Sequence, residues 1–231
     1  RNMLSPIIVA VDCGVKDALN LVRKLNPDDC KLKVGSQLFT AEGPEIVKRF
    51  QDKGFDIFLD LKFHDIPNTV NKAVKSAAEL GVWMVNVHAS GGGEMLEAAK
   101  SALENNAKKP LLVGVTLLTS LDKSSLREIG YNLETEDQVL LLSKLCQDKN
   151  LSGVVCSPKE TTNLRKELGK EFILVTPGIR SIMSSKHDQK RTTTPITALK
   201  NGANYIVVGR DITLDKDPQG RVKQILENIS Y

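Results

Sequence analysis

The feature that most narrows the possible folds is an eightfold alternation of two kinds of segment. Short runs rich in Val, Ile and Leu recur at Ile7 to Asp12, Lys31 to Val34, Ile57 to Lys62 and Trp83 to His88. They continue at Leu111 to Thr116, Gly153 to Cys156, Phe172 to Thr176 and Tyr205 to Val208. Runs of this length and character read as strands. Between them lie amphipathic stretches of helical length: Asp17 to Leu25, Pro44 to Lys53, Asn68 to Leu80, Glu94 to Asn105, Asp137 to Lys149, Pro158 to Leu168, Pro195 to Asn201 and a last segment ending near Ile229. Gly54, Gly81, Gly169 and Gly202 fall just after four of these, where a helix C-terminus favours glycine.

Strict alternation of strand and helix implies a parallel sheet with right-handed crossovers. Eight units in 231 residues favour an α/β fold of the (β/α)8 TIM-barrel type, a single domain over residues 1–231, above an open doubly wound sheet. No Gly-x-Gly-x-x-Gly follows the first strand. The residues there are Asp12-Cys13-Gly14-Val15, which weighs further against a dinucleotide-binding sheet.

A content of 41% hydrophobic, 26% charged and 4% aromatic residues, without low-complexity stretches, excludes disordered and fibrous classes. The net charge of +4 is modest, and basic and acidic residues are interspersed, so no nucleic-acid partner is expected. A slight positive excess suits steering of a small anionic substrate and suits solubility equally well. Cys13, Cys30, Cys146 and Cys156 lie far apart without a Cys-x-x-Cys pair and read as small core residues in a reducing compartment. No run of about 18 apolar residues exists, and the N-terminus lacks a signal-peptide pattern. A cytoplasmic protein with no membrane partner is the expectation.

Within this frame, Phe58-Leu59-Asp60-Leu61-Lys62-Phe63-His64-Asp65 packs two carboxylates and an ammonium directly behind an apolar run. Period-two alternation puts Ile57, Leu59, Leu61 and Phe63 on one face of the strand and Asp60, Lys62 and His64 on the other. Burying charge without a partner is costly, so a covered Asp-x-Lys pair is either mutually neutralising structure or a reaction centre. In a barrel the active site lies at the C-terminal strand ends. Polar residues collect there: Asp12, Lys33, Asp60 with Lys62, His88, Thr119 with Ser120, Pro177-Gly178-Ile179-Arg180, and Gly209-Arg210. Val9 and Val11 oppose Asp12, and Leu32 and Val34 oppose Lys33, which points both polar side chains into the barrel mouth. A plug of salt bridges would explain any one of these residues, but less readily all of them together.

The ends of strands seven and eight are the usual phosphate site of such barrels. Here Gly178, Arg180, Gly209 and Arg210 would offer backbone amides and two guanidiniums. Ser181 to Thr194 lacks apolar periodicity and reads as a lid or as an ordinary solvated connection. His64 and His88 are single, outside any metal-ligand spacing, and read as structural; no metal is expected. Gly91-Gly92-Gly93 permits close approach of backbone to a ligand, or simply loop flexibility.

Asp60-Leu61-Lys62-Phe63-His64-Asp65-Ile66-Pro67-Asn68-Thr69 resembles the signature of the orotidine 5'-monophosphate decarboxylase family, in its bacterial type. The similarity extends over nearly the whole chain, through Val9-Ala10-Val11-Asp12, Leu32-Lys33-Val34-Gly35, Asn86-Val87-His88-Ala89-Ser90-Gly91-Gly92, Leu118-Thr119-Ser120, Val175 to Arg180, Asp188-Gln189-Lys190-Arg191 and Val207-Val208-Gly209-Arg210. That resemblance implies conversion of orotidine 5'-monophosphate (OMP) to UMP and carbon dioxide in pyrimidine biosynthesis, without a cofactor. It implies an alternating charge network of Lys33, Asp60, Lys62 and Asp65, with Lys62 as proton donor and Asp65 contributed to the other subunit of a homodimer. Asp12 and Lys33 would hold the ribose hydroxyls, Thr119 and Ser120 would lie near the pyrimidine, and Gln189 and Arg210 would take the phosphate in the region of Pro177, Arg180 and Gly209. Thr69 would reach the neighbouring subunit's substrate.

Two residues depart from the family pattern: Asp211 stands where proline is frequent, and His187 where glycine is common. Neither touches the charged network. A metal-dependent sugar-phosphate aldolase or decarboxylase of the same superfamily shares an Asp-x-Lys-x-x-Asp pattern, but would carry an acid in place of Lys33. A barrel that only binds nucleotides is the other alternative, and the complete set of charged residues argues against it.

Overall fold

The computed structural model describes residues 5–180 and 193–230. Eight parallel strands close into a barrel in sequential order. They are β1 (Ile7–Ala10), β2 (Lys31–Gly35), β3 (Ile57–Phe63), β4 (Met84–His88), β5 (Leu111–Val115), β6 (Gly153–Val155), β7 (Ile173–Ile179) and β8 (Tyr205–Val208). The open doubly wound alternative is thereby ruled out, and all eight expected runs are strands.

Alternation along the strands sorts the core into two layers. Ile8, Ala10, Phe58, Met84, Val113, Val175 and Val207 fill the barrel interior as one cluster. Their neighbours of opposite parity, including Val9, Leu32, Val34, Ile57 and Leu59, face outward and pack beneath the helices in a larger cluster. Strands covered on both sides need apolar residues at nearly every position, which is why they read as continuous runs and not as alternating ones.

Helices cover the outside: α1 (Val15–Lys24), α2 (Ser36–Glu42), α3 (Pro44–Asp52), α4 (Pro67–Glu79), α5 (Gly93–Ser101), α6 (Lys123–Glu128), α7 (Thr135–Asp148), α8 (Thr161–Leu168), α9 (Pro195–Lys200), α10 (Arg210–Thr213) and α11 (Pro218–Ile229). Each long helix turns one stripe inward, as with Ala18, Leu21 and Val22 of α1 or Val70, Val74 and Ala77 of α4. Proline opens α3, α4, α9 and α11, where its missing N–H costs no helix bond. Gly54, Gly81, Gly169 and Gly202 all adopt positive φ at the turns that follow helices.

The short helices α2, α6 and α10 are absent from the sequence expectation, because segments of four to seven residues carry too little periodicity to register. The stretch expected to run from Glu94 to Asn105 ends as a helix at Ser101, and the one expected from Pro158 begins at Thr161. Strand β7 runs on through Pro177 and Gly178 to Ile179. A register shift between Thr176 and Ile179 takes that proline out of the regular ladder, and Gly178 supplies φ 75°.

Strand β3 carries the other irregularity. It pairs with β4 through Leu59↔Val85 and resumes at Phe63↔Val87, so that Asp60, Leu61 and Lys62 bulge opposite the single residue Asn86. At the opposite end of the barrel, buried Lys31 points inward. Its Nζ lies 5.0 Å from the Trp83 ring centroid and 5.7 Å from that of Tyr205, and donates to the Ser5 carbonyl at 3.1 Å. The Trp83 and Tyr205 rings meet edge to face at 4.9 Å. Burial pulls the Lys31 ammonium below its ordinary pKa.

Strands β6 and β7 approach so closely at Gly153 that an added Cβ would stand 2.0 Å from the Ile173 carbonyl oxygen and 2.7 Å from the Ile173 Cβ. Backbone in a closed barrel cannot retreat cheaply. Gly153→Ala is therefore expected to destabilise the protein by roughly 1–3 kcal/mol, measured as a lower denaturation midpoint with an unchanged denaturant slope. An unshifted midpoint would contradict the close packing of these strands.

Candidate active site

The C-terminal mouth of the barrel encloses a cavity of about 290 Å³. Its floor is the top of the inner core, with Ala10, Phe58, Val155 and Val207, and its wall carries Asp12, Lys33, Asp60 and Lys62. Strand parity delivers these side chains. Lys33 pairs with Ala10 on one side and with Phe58 on the other, both inward-facing, and Asp60 follows Phe58 by one period of the strand.

The four charges alternate in sign. Lys33 Nζ lies 3.4 Å from Asp12 Oδ1 and 2.9 Å from Asp60 Oδ2, and Lys62 Nζ lies 2.7 Å from Asp60 Oδ1. The Asp60 side chain is 8% exposed and that of Lys33 14%, whereas Lys62 at 37% and Asp12 at 58% reach toward solvent. Burial alone would drive Asp60 toward protonation, but the Lys33 ammonium and hydrogen bonds from both lysines outweigh it and hold Asp60 at about 2. Burial likewise works to lower Lys33, and the carboxylates of Asp60 and Asp12 reverse it, leaving the ammonium above its ordinary value. Both groups are therefore charged at neutral pH.

Lys62 departs from the simple strand. The bulge gives it φ 50°, in the left-handed region that lysine seldom occupies, and re-aims its side chain along the cavity wall. Period-two counting places it on the Asp60 face and carries no sign of this distortion.

Asn86, to which the sequence reading gives no role, proves to be part of the site. It is 1% exposed, donates from Nδ2 to Asp60 Oδ1 at 2.7 Å, and accepts at Oδ1 from the Lys62 backbone N–H at 2.9 Å. The available signal was parity: Asn86 shares its face with inward Met84, and a polar residue between two valines at that position must find partners inside.

Other expected site residues are distributed around the rim. Thr119, Pro177, Gly178 and Gly209 line the same cavity. Ser120 lines an adjoining depression that also borders Thr119 and Gly178. Exposed Arg210 lines a second one with Asp12, Cys13 and Gly209. Arg180 is half-buried just past β7, where its backbone N–H donates to the Thr193 carbonyl at 3.0 Å. Gln189, His187 and the expected lid as far as residue 192 lie outside the described residues.

Asp65 and Thr69 do not enter the cavity of their own chain. Both are exposed, and Asp65 Oδ1 accepts from the backbone N–H of Ile66 at 2.7 Å. Between them Ile66 is 65% exposed. The His64 and His88 rings lie 5.2 Å apart between centroids and tilted by 39°, and burial, His64 and Lys62 all lower the pKa of His88. Among the described residues no group of three His, Cys, Asp or Glu side chains is arranged to hold a metal ion.

Comparison with known proteins agrees with this architecture. The profile of the Orotidine 5'-phosphate decarboxylase / HUMPS family matches residues 5–225. The chain is 50% identical over 226 residues to the orotidine 5'-phosphate decarboxylase of Vibrio parahaemolyticus, covering 97% of each protein. It is 52% identical over 227 residues to that of Nitrosococcus oceani, covering 98% of each. A crystal structure of orotidine 5'-phosphate decarboxylase from Lactobacillus acidophilus superposes with a TM-score of 0.88 at 38% identity, covering 98% of this chain and all of that one. With barrel, charged mouth and similarity in agreement over nearly the full length, the chain belongs to the orotidine 5'-phosphate decarboxylase family of carboxy-lyases.

Proposed function

We propose that this chain converts OMP to UMP and carbon dioxide by electrostatic catalysis without a metal or cofactor, with Lys62 as the proton donor. The observation that carries the reading is the Lys62 ammonium at the cavity wall, 2.7 Å from a carboxylate that Lys33 grips from the other side. Breaking the bond from C6 to the carboxyl carbon leaves an electron pair in the plane of the pyrimidine ring, outside its π system. No simple delocalisation can absorb it, so stabilisation has to come from fixed charge nearby. An ammonium held by Asp60 supplies that charge without reorganising. As carbon dioxide leaves, the N–H bond of Lys62 breaks and its proton passes to C6, and water later restores the proton to the amine. Asp60, close to the substrate carboxylate, would raise the energy of the ground state.

The remaining residues then have binding roles. Asp12 and Lys33 hold the ribose hydroxyls, and Thr119 and Ser120 border the pyrimidine. Pro177, Arg180, Gly209 and Arg210, with Gln189, take the phosphate, and binding energy from that distant group is realised at the reacting carbon. The metal-dependent alternative would need an acid in place of Lys33, whose ammonium repels a cation there. A reducing, cytoplasmic setting accords with the free thiols of Cys30, Cys146 and Cys156, each pushed up to about 12 by burial.

The reading includes a homodimer with shared sites. Exposed Asp65 and Thr69 flank exposed Ile66 just past the strand whose bulge carries Lys62, where a partner's surface would cover them.

Purified, chelator-treated protein should decarboxylate OMP, followed by the loss of substrate absorbance. Lys62→Ala should lower turnover by roughly 10³-fold or more while UMP binding stays measurable. Activity that vanished with chelator and returned with magnesium would overturn the metal-free reading, and wild-type turnover in Lys62→Ala would overturn the proton donor. Mixing Lys62→Ala with Asp65→Ala subunits should restore about a quarter of wild-type activity, since half the randomly formed dimers carry one intact site. No recovery despite demonstrated subunit exchange would argue against shared sites.

A further inference from the structure

We propose that Asn86 is a positioning residue that holds Lys62 and Asp60 in register across the β3 bulge. The inference rests on the proposed role of Lys62 and extends it to a residue of the neighbouring strand.

Where β3 pairs regularly with β4, its amides find carbonyl partners. Between Leu59↔Val85 and Phe63↔Val87 the strands fall out of step, and the Lys62 N–H leaves the ladder. A half-buried amide without a partner costs free energy. Lysine at φ 50° adds backbone strain of about 1–3 kcal/mol. Such a conformation persists only if its surroundings hold it. The Asn86 side chain does so by accepting from that N–H at 2.9 Å.

The other end of the same amide donates to Asp60 Oδ1 at 2.7 Å, and that oxygen also receives the Lys62 ammonium at 2.7 Å. The four groups close a ring: Lys62 backbone, Asn86 amide, Asp60 carboxylate and Lys62 Nζ. Both ends of the lysine are thus tied to one rigid side chain, which is 1% exposed. The ring also fixes the amide's orientation, because a flipped Asn86 would oppose donor to donor at Lys62 and oxygen to carboxylate at Asp60.

The consequence for the reaction concerns the moment after proton transfer. Lys62 is then a neutral amine and its hold on Asp60 weakens. Lys33 retains Oδ2 and the uncharged Asn86 donor retains Oδ1, so the carboxylate stays in place while Lys62 regains its proton. A charged donor in place of Asn86 would draw Asp60 away from Lys62. Asparagine anchors without competing in charge.

Asn86→Leu keeps the approximate volume and removes both hydrogen bonds. We expect kcat to fall at least tenfold, with KM and the UMP dissociation constant within threefold of the parent, because a small displacement of a reacting group is paid in rate and not in nucleotide binding. If the leucine variant does not fold, Asn86→Asp serves. It keeps the acceptor for the Lys62 N–H but faces Asp60 with a carboxylate, and it should show the same split. A folded, nucleotide-binding variant with kcat within twofold of the parent would overturn the role, as would equal losses in kcat and UMP affinity. Parent and Lys62→Ala proteins assayed alongside separate the two ideas: an inactive parent or an active Lys62→Ala defeats the proposed function itself, whereas an active parent, an inactive Lys62→Ala and a fully active Asn86→Leu defeat only the role of Asn86.

Discussion

Everything at the mouth of this barrel depends on one buried carboxylate. Asp60 is almost sealed from solvent, and a lone anion there would either protonate or unfold its surroundings. It does neither, because Lys33 and Lys62 occupy its two oxygens and Asn86 shares one of them. The dependence is mutual. Two ammoniums at the top of an apolar core would repel each other without the anion between them. Removing any one charged member leaves an unbalanced charge, so the set holds together as a unit.

The fold supplies the constraint that keeps those charges together. Parallel strands of a closed barrel cannot slide, and the inner layer of Ile8, Ala10, Phe58, Met84 and Val207 forms a packed floor beneath them. Lys33 and Asp60 are carried upward from that floor on adjacent strands. Lys62 is the exception: it reaches Asp60 by way of a bulge, at the cost of a strained backbone. The site is thus rigid where charge is stored and locally distorted where the reaction is proposed to occur.

Much of this was legible in the sequence, and the reasons are specific. All eight strands could be read because burial on both faces writes itself as unbroken apolar runs, and parity alone directed Asp12, Lys33 and Asp60 inward. The bulge could not be read, since period-two counting assumes a regular ladder and Lys62 carries no mark of positive φ. Asn86 was hidden for a related reason: its importance lies in pairing with a residue 24 positions away, and only the register of β3 on β4 brings the two together. The short helices α2, α6 and α10 escaped because they span at most about two turns, too few to mark a period. Asp65 stands three residues from Lys62, and only the family resemblance, not its spacing, assigns it to another subunit's site; its side chain lies outside its own cavity and accepts from the Ile66 N–H.

Lys31 and Lys33 stand on one strand and one face, two residues apart, at opposite ends of the barrel. One rests among aromatic rings with its basicity reduced, and the other among carboxylates with its basicity enhanced. Among the described residues the lower lysine, with Trp83 and Tyr205, fills the barrel's underside. A barrel stoppered at one end is a vessel and not a conduit. Substrate, carbon dioxide and nucleotide would then all pass through the mouth above Lys33, so traffic through that doorway would have to take turns.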